Sequence, residues 1–227
     1  SPFVGFFNIG ILFIFVFADG GGGGGVQLEI VNACDHPIWP AILPTSGHPS
    51  LADGGFFLPS GRSSILYPPA FWSGRIWARL GCKFDRAGNG RCVTGDCGGR
   101  LLCGSVAGQP PATLVEMTLG TPSNPATHFY DVSLVDGFNV PASMIPAGGS
   151  GGDCGVAACE ADLNESCPSN MAVVGEGGKE VVGCRSACLV TEEDRDCCRG
   201  EYGTPAACRP SVYGYFFKKI CPRAYSY

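Results

Sequence analysis

Fourteen cysteines in a chain of 227 residues restrict the possible folds more than any other feature of this sequence. So many thiols would be a liability in the reducing cytosol, whereas a secreted chain uses them as crosslinks. Zinc binding is the alternative, and structural zinc sites use pairs such as C-x2-C with histidines at matched spacing. The sequence has no C-x2-C pair and only three histidines. We therefore predict disulfide bonds, no metal site, no cofactor and a secreted, extracellular protein.

The composition favours strands and loops over helices. Charged residues make up 15% of the chain, which also contains 35 glycines and 18 prolines. A hydrophobic content of 45% is too high for an intrinsically disordered chain. The net charge of −5 argues against a nucleic-acid partner, which needs a basic face, and against polybasic attachment to a membrane.

The first 25 residues have the pattern of a targeting segment followed by a spacer. Residues 3–18 form an apolar run that is shorter than the roughly 20 residues needed to span a bilayer. Small residues follow at Ala18 and Gly20, as in a secretory signal peptide. The glycine tract at 20–25 is a flexible spacer, so we expect structure to begin near Val26. The alternatives are a membrane anchor or a buried strand.

Period-two alternation of apolar and polar residues marks the strand candidates, at 26–31, 75–80, 113–119 and 129–135. The alternation puts Arg75, Trp77 and Arg79 on one face of the second candidate. Short strands separated by Gly/Pro turns favour a β-sandwich. Nine of the cysteines lie after the glycine-rich stretch 148–152, which predicts a loop-rich lobe held by disulfides.

Four motifs identify a family resemblance: GNGRCVTGDCGG at 88–99, QPPATLVE at 109–116, FYDVSLVDGFNVP at 129–141 and FFKKICPRAYSY at 216–227. Together they resemble thaumatin-like proteins, the plant pathogenesis-related group that includes osmotin. The resemblance implies an all-β fold with a β-sandwich core and two smaller disulfide-rich lobes. One domain would span 26–227, with a small lobe at about 82–108, a disulfide-rich lobe at about 151–221, and a C-terminal strand region missing.

The resemblance also implies how the cysteines pair. Cys34 and Cys154 would be unpaired, because their partners in the family lie beyond the segment that ends at Tyr227. Each native bridge contributes roughly 2–4 kcal/mol. Six disulfides are expected: Cys82–Cys92, Cys97–Cys103, Cys159–Cys221, Cys167–Cys184, Cys188–Cys197 and Cys198–Cys208.

Three acidic residues, Glu116, Asp131 and Asp136, lie on or beside the strand candidates. Their spacing alone favours solvated strand faces or turn residues and does not indicate a cleft. The resemblance implies that they line a cleft together with Arg75. The family has a fifth cleft residue, an aspartate, whose position lies beyond Tyr227. Gathered carboxyls raise one another's pKa, so one of them can hold a proton for glycoside hydrolysis. We expect Glu116 to be the acid and Asp131 its partner, in an enzyme that is at most a weak endo-β-1,3-glucanase.

The expected ligand, again by resemblance, is fungal β-1,3-glucan or a related polysaccharide. The protein would be a monomeric antifungal protein of the apoplast or vacuole. Its mature chain would not span a membrane. Phe129, Tyr130 and Phe138 are candidates for stacking on sugar rings, or else core aromatics. Asn164 begins an N-glycosylation triplet. The alternatives are a non-catalytic membrane-perturbing protein, an inhibitor of microbial hydrolases, or the ectodomain of a receptor kinase.

Overall fold

The computed structural model describes residues 13–18, 25–147, 154–204 and 206–226. Strands dominate, and the helices are short: α1 (Ala187–Thr191), α2 (Val212–Ile220) and three 3-10 turns, at Ala52–Gly54, Leu163–Ser166 and Gly200–Tyr202. The strands are β1 (Phe13–Ala18), β2 (Gln27–Asn32), β3 (Trp39–Pro44), β4 (Ser63–Leu66), β5 (Ser73–Arg79), β6 (Lys83–Phe84), β7 (Gly90–Arg91), β8 (Leu114–Thr121), β9 (Asn124–Ser133), β10 (Ala142–Ala147), β11 (Ala157–Cys159), β12 (Ala172–Val174) and β13 (Val181–Cys184).

Two sheets form the central sandwich. One has the strand order β11-β10-β1-β2-β4 and the other the order β3-β5-β8-β9. Period-two alternation turns one set of side chains from each sheet into a shared core. Leu28 and Ile30 come from the first sheet, and Ile76, Val115 and Met117 from the second. The alternation predicted at 26–31 and 113–119 is therefore present.

The outer face of the β3-β5-β8-β9 sheet is covered over only part of its length. Trp77 and Leu114 on this face pack with Cys97 and Cys103 of the small lobe, forming a second, smaller hydrophobic cluster. The Trp77 indole nitrogen donates a hydrogen bond to the Gly95 carbonyl at 2.8 Å. The rest of the face is left open, and this open part is the cleft described below.

Arg79 fastens the small lobe to the sheet and is completely buried. Its guanidinium donates to the carbonyls of Arg100 and Leu101, each at 2.7 Å, and to that of Trp39 at 3.1 Å. The guanidinium also lies 5.5 Å from the centre of the Phe84 ring. Burial lowers the pKa of Arg79 to about 10, although the nearby Asp96 carboxylate acts in the opposite direction. The strand alternation gave the correct face for Arg79, but it could not show that a lobe covers it.

Disulfides hold the two lobes, and the six bridges are those that the resemblance implies: Cys82–Cys92, Cys97–Cys103, Cys159–Cys221, Cys167–Cys184, Cys188–Cys197 and Cys198–Cys208. Cys34 is buried and forms no disulfide in the part of the chain that the structure describes. Burial raises the pKa of its thiol to about 12, with a further contribution from Asp35. The exposed Cys154 belongs to none of the six bridges.

The N-terminal region corrects one expectation, that structure begins near Val26. β1 pairs antiparallel with β2 and parallel with β10, so it lies inside the five-stranded sheet. The physical reason is that an uninterrupted apolar run also suits a strand with neighbours on both sides. Cleavage of a signal peptide stays a prediction. The rest of the apolar run at 3–12, most of the glycine tract and the junction at 148–152 lie outside the described residues.

Candidate functional site

A row of four directly paired residues crosses the open part of the outer face. Leu43 on β3 pairs with Arg75 on β5, which pairs with Glu116 on β8, which pairs with Asp131 on β9. Direct cross-strand partners have Cβ atoms about 4.5–5.5 Å apart and share one face of the sheet. The register therefore brings Arg75, Glu116 and Asp131 together, although they lie far apart in the sequence. We call these three residues the charged row.

A bulge beside the β8–β9 turn accommodates this pairing. The register shifts between Leu119 and Thr121, and Gly120 there has φ +63°. A Cβ atom added to Gly120 would come within 2.5 Å of the Pro125 carbonyl oxygen, so only glycine fits this position without a shift.

The charged row lines a cleft with a volume of about 500 Å³. Its other walls include Leu43 and Pro44 at the end of β3, the hydroxyl side chains that follow β3 or lie on β5 and β8, and the ring of Phe129. Asp136 is half-buried and is not among the lining residues, but its charge reaches Glu116. Its backbone carbonyl accepts a hydrogen bond from the Ala112 amide at 2.9 Å. Three of the four predicted cleft residues thus line the cavity, and Asp136 does not.

The two carboxyls are difficult to ionise together. Burial and, to a smaller extent, the Glu116 charge together raise the pKa of Asp131 to about 6. The Oδ1 atom of Asp131 is buried and has no hydrogen-bond partner among the described residues. Burial also raises the pKa of Glu116, but there Arg75 opposes the shift, while Asp136 adds to it. The pair therefore holds one proton at mildly acid pH, and the position of Arg75 favours Asp131 as its carrier.

Comparison with known proteins identifies the family. The model of the Thaumatin family matches residues 32–227. This chain belongs to the thaumatin family. It is 50% identical over 196 residues to a thaumatin-like protein of Arabidopsis thaliana, a match that covers 86% of this chain and 79% of that relative. It is 47% identical to pathogenesis-related protein 5 of the same plant, with 97% and 89% covered.

A third relative of this thaumatin-family chain is larger. A PR5-like receptor kinase of Arabidopsis thaliana is 42% identical, and the match covers 88% of this chain but only 30% of that protein. The all-β thaumatin-type fold that the motifs implied is confirmed by the family match and the two-sheet sandwich. In the described part of the chain, no helix is long and apolar enough to span a bilayer.

The three aromatic candidates of this thaumatin-type domain have different positions. Phe129 lines the cleft, and 62% of it is exposed. Tyr130 packs beside the core, and its hydroxyl donates to the Gly155 carbonyl at 2.7 Å. Phe138 is fully buried, so of its two alternatives the core aromatic is correct and sugar stacking is excluded. Phe138 follows the Asp136-Gly137 turn and pairs with Cys184, which directs its ring into the core.

Asn164 has a structural role in this family member. Its side-chain amide donates to the Asn139 carbonyl at 3.1 Å, and its Oδ1 atom is buried. The backbone there is a 3-10 turn capped by the Asp162 side chain. A glycan on the Asn164 amide nitrogen would replace the bond to Asn139, so this geometry does not favour its use as an acceptor.

One group of cleft residues was missed by the sequence reasoning. Thr45, Ser73 and Thr118 line the cleft next to the charged row. The signal was available in the alternation, because Ser73 lies two residues before Arg75 and Thr118 two residues after Glu116. Hydroxyl side chains carry no distinctive motif, which is why they were not singled out. The described residues contain no cluster of three or more metal-ligand side chains.

Proposed function

We propose that this chain is a secreted plant defence protein whose acidic cleft binds β-1,3-glucan of the fungal wall and hydrolyses it slowly. The observation that carries the proposal is the direct pairing of Glu116 with Asp131 in an open cleft, with Arg75 as the next partner. The names of the relatives, among them pathogenesis-related protein 5, support the defence role. Six disulfides support secretion into an oxidising compartment.

The cleft suits a neutral polymer better than an anionic one. Two carboxyls face the cleft against one guanidinium, so an anionic sugar would meet net repulsion. Arg75 can donate hydrogen bonds to sugar hydroxyls while its charge opposes protonation of Glu116. The cleft lies on the surface of the sheet, and a surface cleft can bind a polymer within its length rather than only at its end.

Hydrolysis would use the shared proton. Asp131, in its protonated form, gives its proton to the glycosidic oxygen, and that oxygen leaves as a hydroxyl when the bond to the anomeric carbon breaks. Glu116 attacks this carbon to form a glycosyl ester. We favour this retaining route because direct cross-strand partners have Cβ atoms only about 4.5–5.5 Å apart, and retaining enzymes hold their two carboxyls about 5–5.5 Å apart. Water then cleaves the ester with Asp131 as the base. This exchanges the roles first expected for Glu116 and Asp131, because Arg75 opposes protonation of Glu116.

The test measures binding and hydrolysis in one sample. The wild-type chain, Glu116→Gln and Asp131→Asn are mixed with insoluble β-1,3-glucan, and both bound protein and new reducing ends are counted. We expect all three to bind, with hydrolysis reduced at least a hundredfold in each variant. Hydrolysis undiminished in Glu116→Gln would remove the catalytic roles, and absence of wild-type binding would remove the proposal.

A non-catalytic binding domain is the second candidate. It is favoured by the receptor-kinase relative, in which a domain like this one makes up 30% of the protein. Glucan binding by the wild type with no reducing ends above background would identify this candidate. A membrane-perturbing role is less favoured because the net charge of −5 opposes approach to an anionic surface.

A further inference from the structure

A second row of side chains lies beside the charged row, on the same face of the sheet. Ser73 pairs with Thr118, which pairs with Phe129, and Thr45 follows the end of β3 next to Ser73. The hydroxyls of Thr45 and Ser73 are 3.1 Å apart, and those of Ser73 and Thr118 are 2.9 Å apart. We call Thr45, Ser73 and Thr118 the hydroxyl row.

We infer that the hydroxyl row and Phe129 form a subsite for one neutral sugar ring of a bound polysaccharide. The inference rests on the proposed function and specifies which residues hold the substrate. It assigns a positioning and specificity role to four residues that take no part in the chemistry of the charged row.

The hydrogen-bonding capacity of the hydroxyl row matches a sugar. Three hydroxyls offer three donors and six acceptor positions, and the two internal hydrogen bonds use two of each. One donor and four acceptor positions then remain for a ligand. Sugar hydroxyls both donate and accept, so they can satisfy both kinds of group, whereas an anion could use only the single donor and would face the carboxyls.

Phe129 supplies the apolar surface that a sugar ring also needs. Its side chain lines the cleft and is 62% exposed, although it lies on a strand whose inward residues fill the core. A flat ring beside polar side chains is the usual arrangement of a binding site that orients its ligand by a few polar contacts. An exposed aromatic ring in a cleft can cover the apolar face of a pyranose.

The position of the subsite relative to the charged row fits a continuous sugar chain. The two rows are two residues apart along the strands, a distance of about 6.8 Å. A ring on Phe129 therefore directs its glycosidic linkage toward Glu116 and Asp131. On the other side of the charged row, Trp77 and Leu114 are covered by the small lobe. The bound sugar chain must therefore extend from the charged row over the hydroxyl row.

Calorimetric titration with a β-1,3-linked glucose pentamer tests the inference. We expect Phe129→Ala to weaken binding about tenfold and Thr118→Val at least threefold, while Thr118→Ser stays within twofold of the wild type. Tyr67→Ala is the matched control, because Tyr67 is 70% exposed and follows β4 in the other sheet. Near-ultraviolet circular dichroism and the unfolding temperature confirm that each variant is folded.

The outcomes separate the two proposals. Pentamer binding by the wild type that stays within twofold in both Phe129→Ala and Thr118→Val would overturn the subsite and leave the proposed function standing. No binding by the wild type would overturn both. A requirement for Phe129 but not for the Thr118 hydroxyl would overturn the assignment of the hydroxyl row.

Discussion

At the scale of single residues, three environments decide what the charged row can do. Asp131 is buried beside another acid, Glu116 lies between an acid and a base, and Arg75 is the cation that distinguishes the two carboxyls. The sequence and the family resemblance together predicted which residues to consider. They could not predict which carboxyl keeps the proton, because that depends on burial and on the order of partners across the sheet.

The raised pKa of Asp131 predicts a pH-dependent gain in stability for Asp131→Asn. Because the pKa of this carboxyl is raised in the folded state, its ionisation destabilises the fold. The loss in the free energy of unfolding is absent below the ordinary pKa of 3.8 and complete above about pH 6. Removing the charge should therefore raise the unfolding temperature relative to the wild type at pH 8, with little difference at pH 3.5. Thermal unfolding at the two pH values measures this.

The control for this variant is Asp194→Asn, which changes an exposed acid in the disulfide-rich lobe. We expect nearly the same unfolding temperature as the wild type at both pH values. An equal effect of Asp131→Asn at pH 3.5 and pH 8 would show that the substitution acts through packing rather than through charge.

At the scale of elements, the small lobe is held to the sheet by Arg79. Replacing Arg79 with Met would remove its hydrogen bonds to the carbonyls of Arg100, Leu101 and Trp39. Buried acceptors left without donors are costly, so we expect a loss of about 3 kcal/mol in the free energy of unfolding, measured in urea. Arg100→Met is the control, because Arg100 is exposed. Equal losses in the two variants would contradict the role of Arg79.

The position of β1 gives a second prediction at this scale. A variant that lacks residues 1–25 has no strand between β2 and β10, so the amides of both strands that faced β1 lose their partners. We expect those amides to exchange hydrogen faster, whereas amides between β5 and β8 keep their protection. Unchanged exchange in β2 and β10 would show that β1 contributes nothing to the sheet.

At the scale of the whole molecule, crosslinks replace the packing that glycine-rich loops cannot supply. The Cys159–Cys221 bridge spans 62 residues and the Cys97–Cys103 bridge only 6. Because longer loops lose more entropy on crosslinking, removing the first bridge should cost about 2 kcal/mol more in the free energy of unfolding than removing the second. Urea unfolding of the two double Cys→Ala variants measures the difference. A larger loss for the shorter loop would contradict this account.

Sequence reasoning went furthest where a local pattern determined the outcome. The alternation at 113–119 gave the inward and outward faces of β8, and the four motifs gave the fold. It left alternatives open where the outcome depended on what covers a residue. The alternation placed Arg79 on the correct face and Phe138 was either a core or a stacking residue, but only the structure shows that both are buried. The strand at Phe13–Ala18 was weighed only as an alternative, because an apolar run suits several structures.

The most direct test of the central claim is the titration of the Asp131 side-chain carboxyl, followed by carbon NMR in the intact protein. This account predicts a pKa of about 6 that falls in Glu116→Gln but stays above the ordinary value of 3.8, because burial is the larger cause. A wild-type Asp131 that titrates near 3.8 would contradict the claim that the two carboxyls share a proton in the cleft.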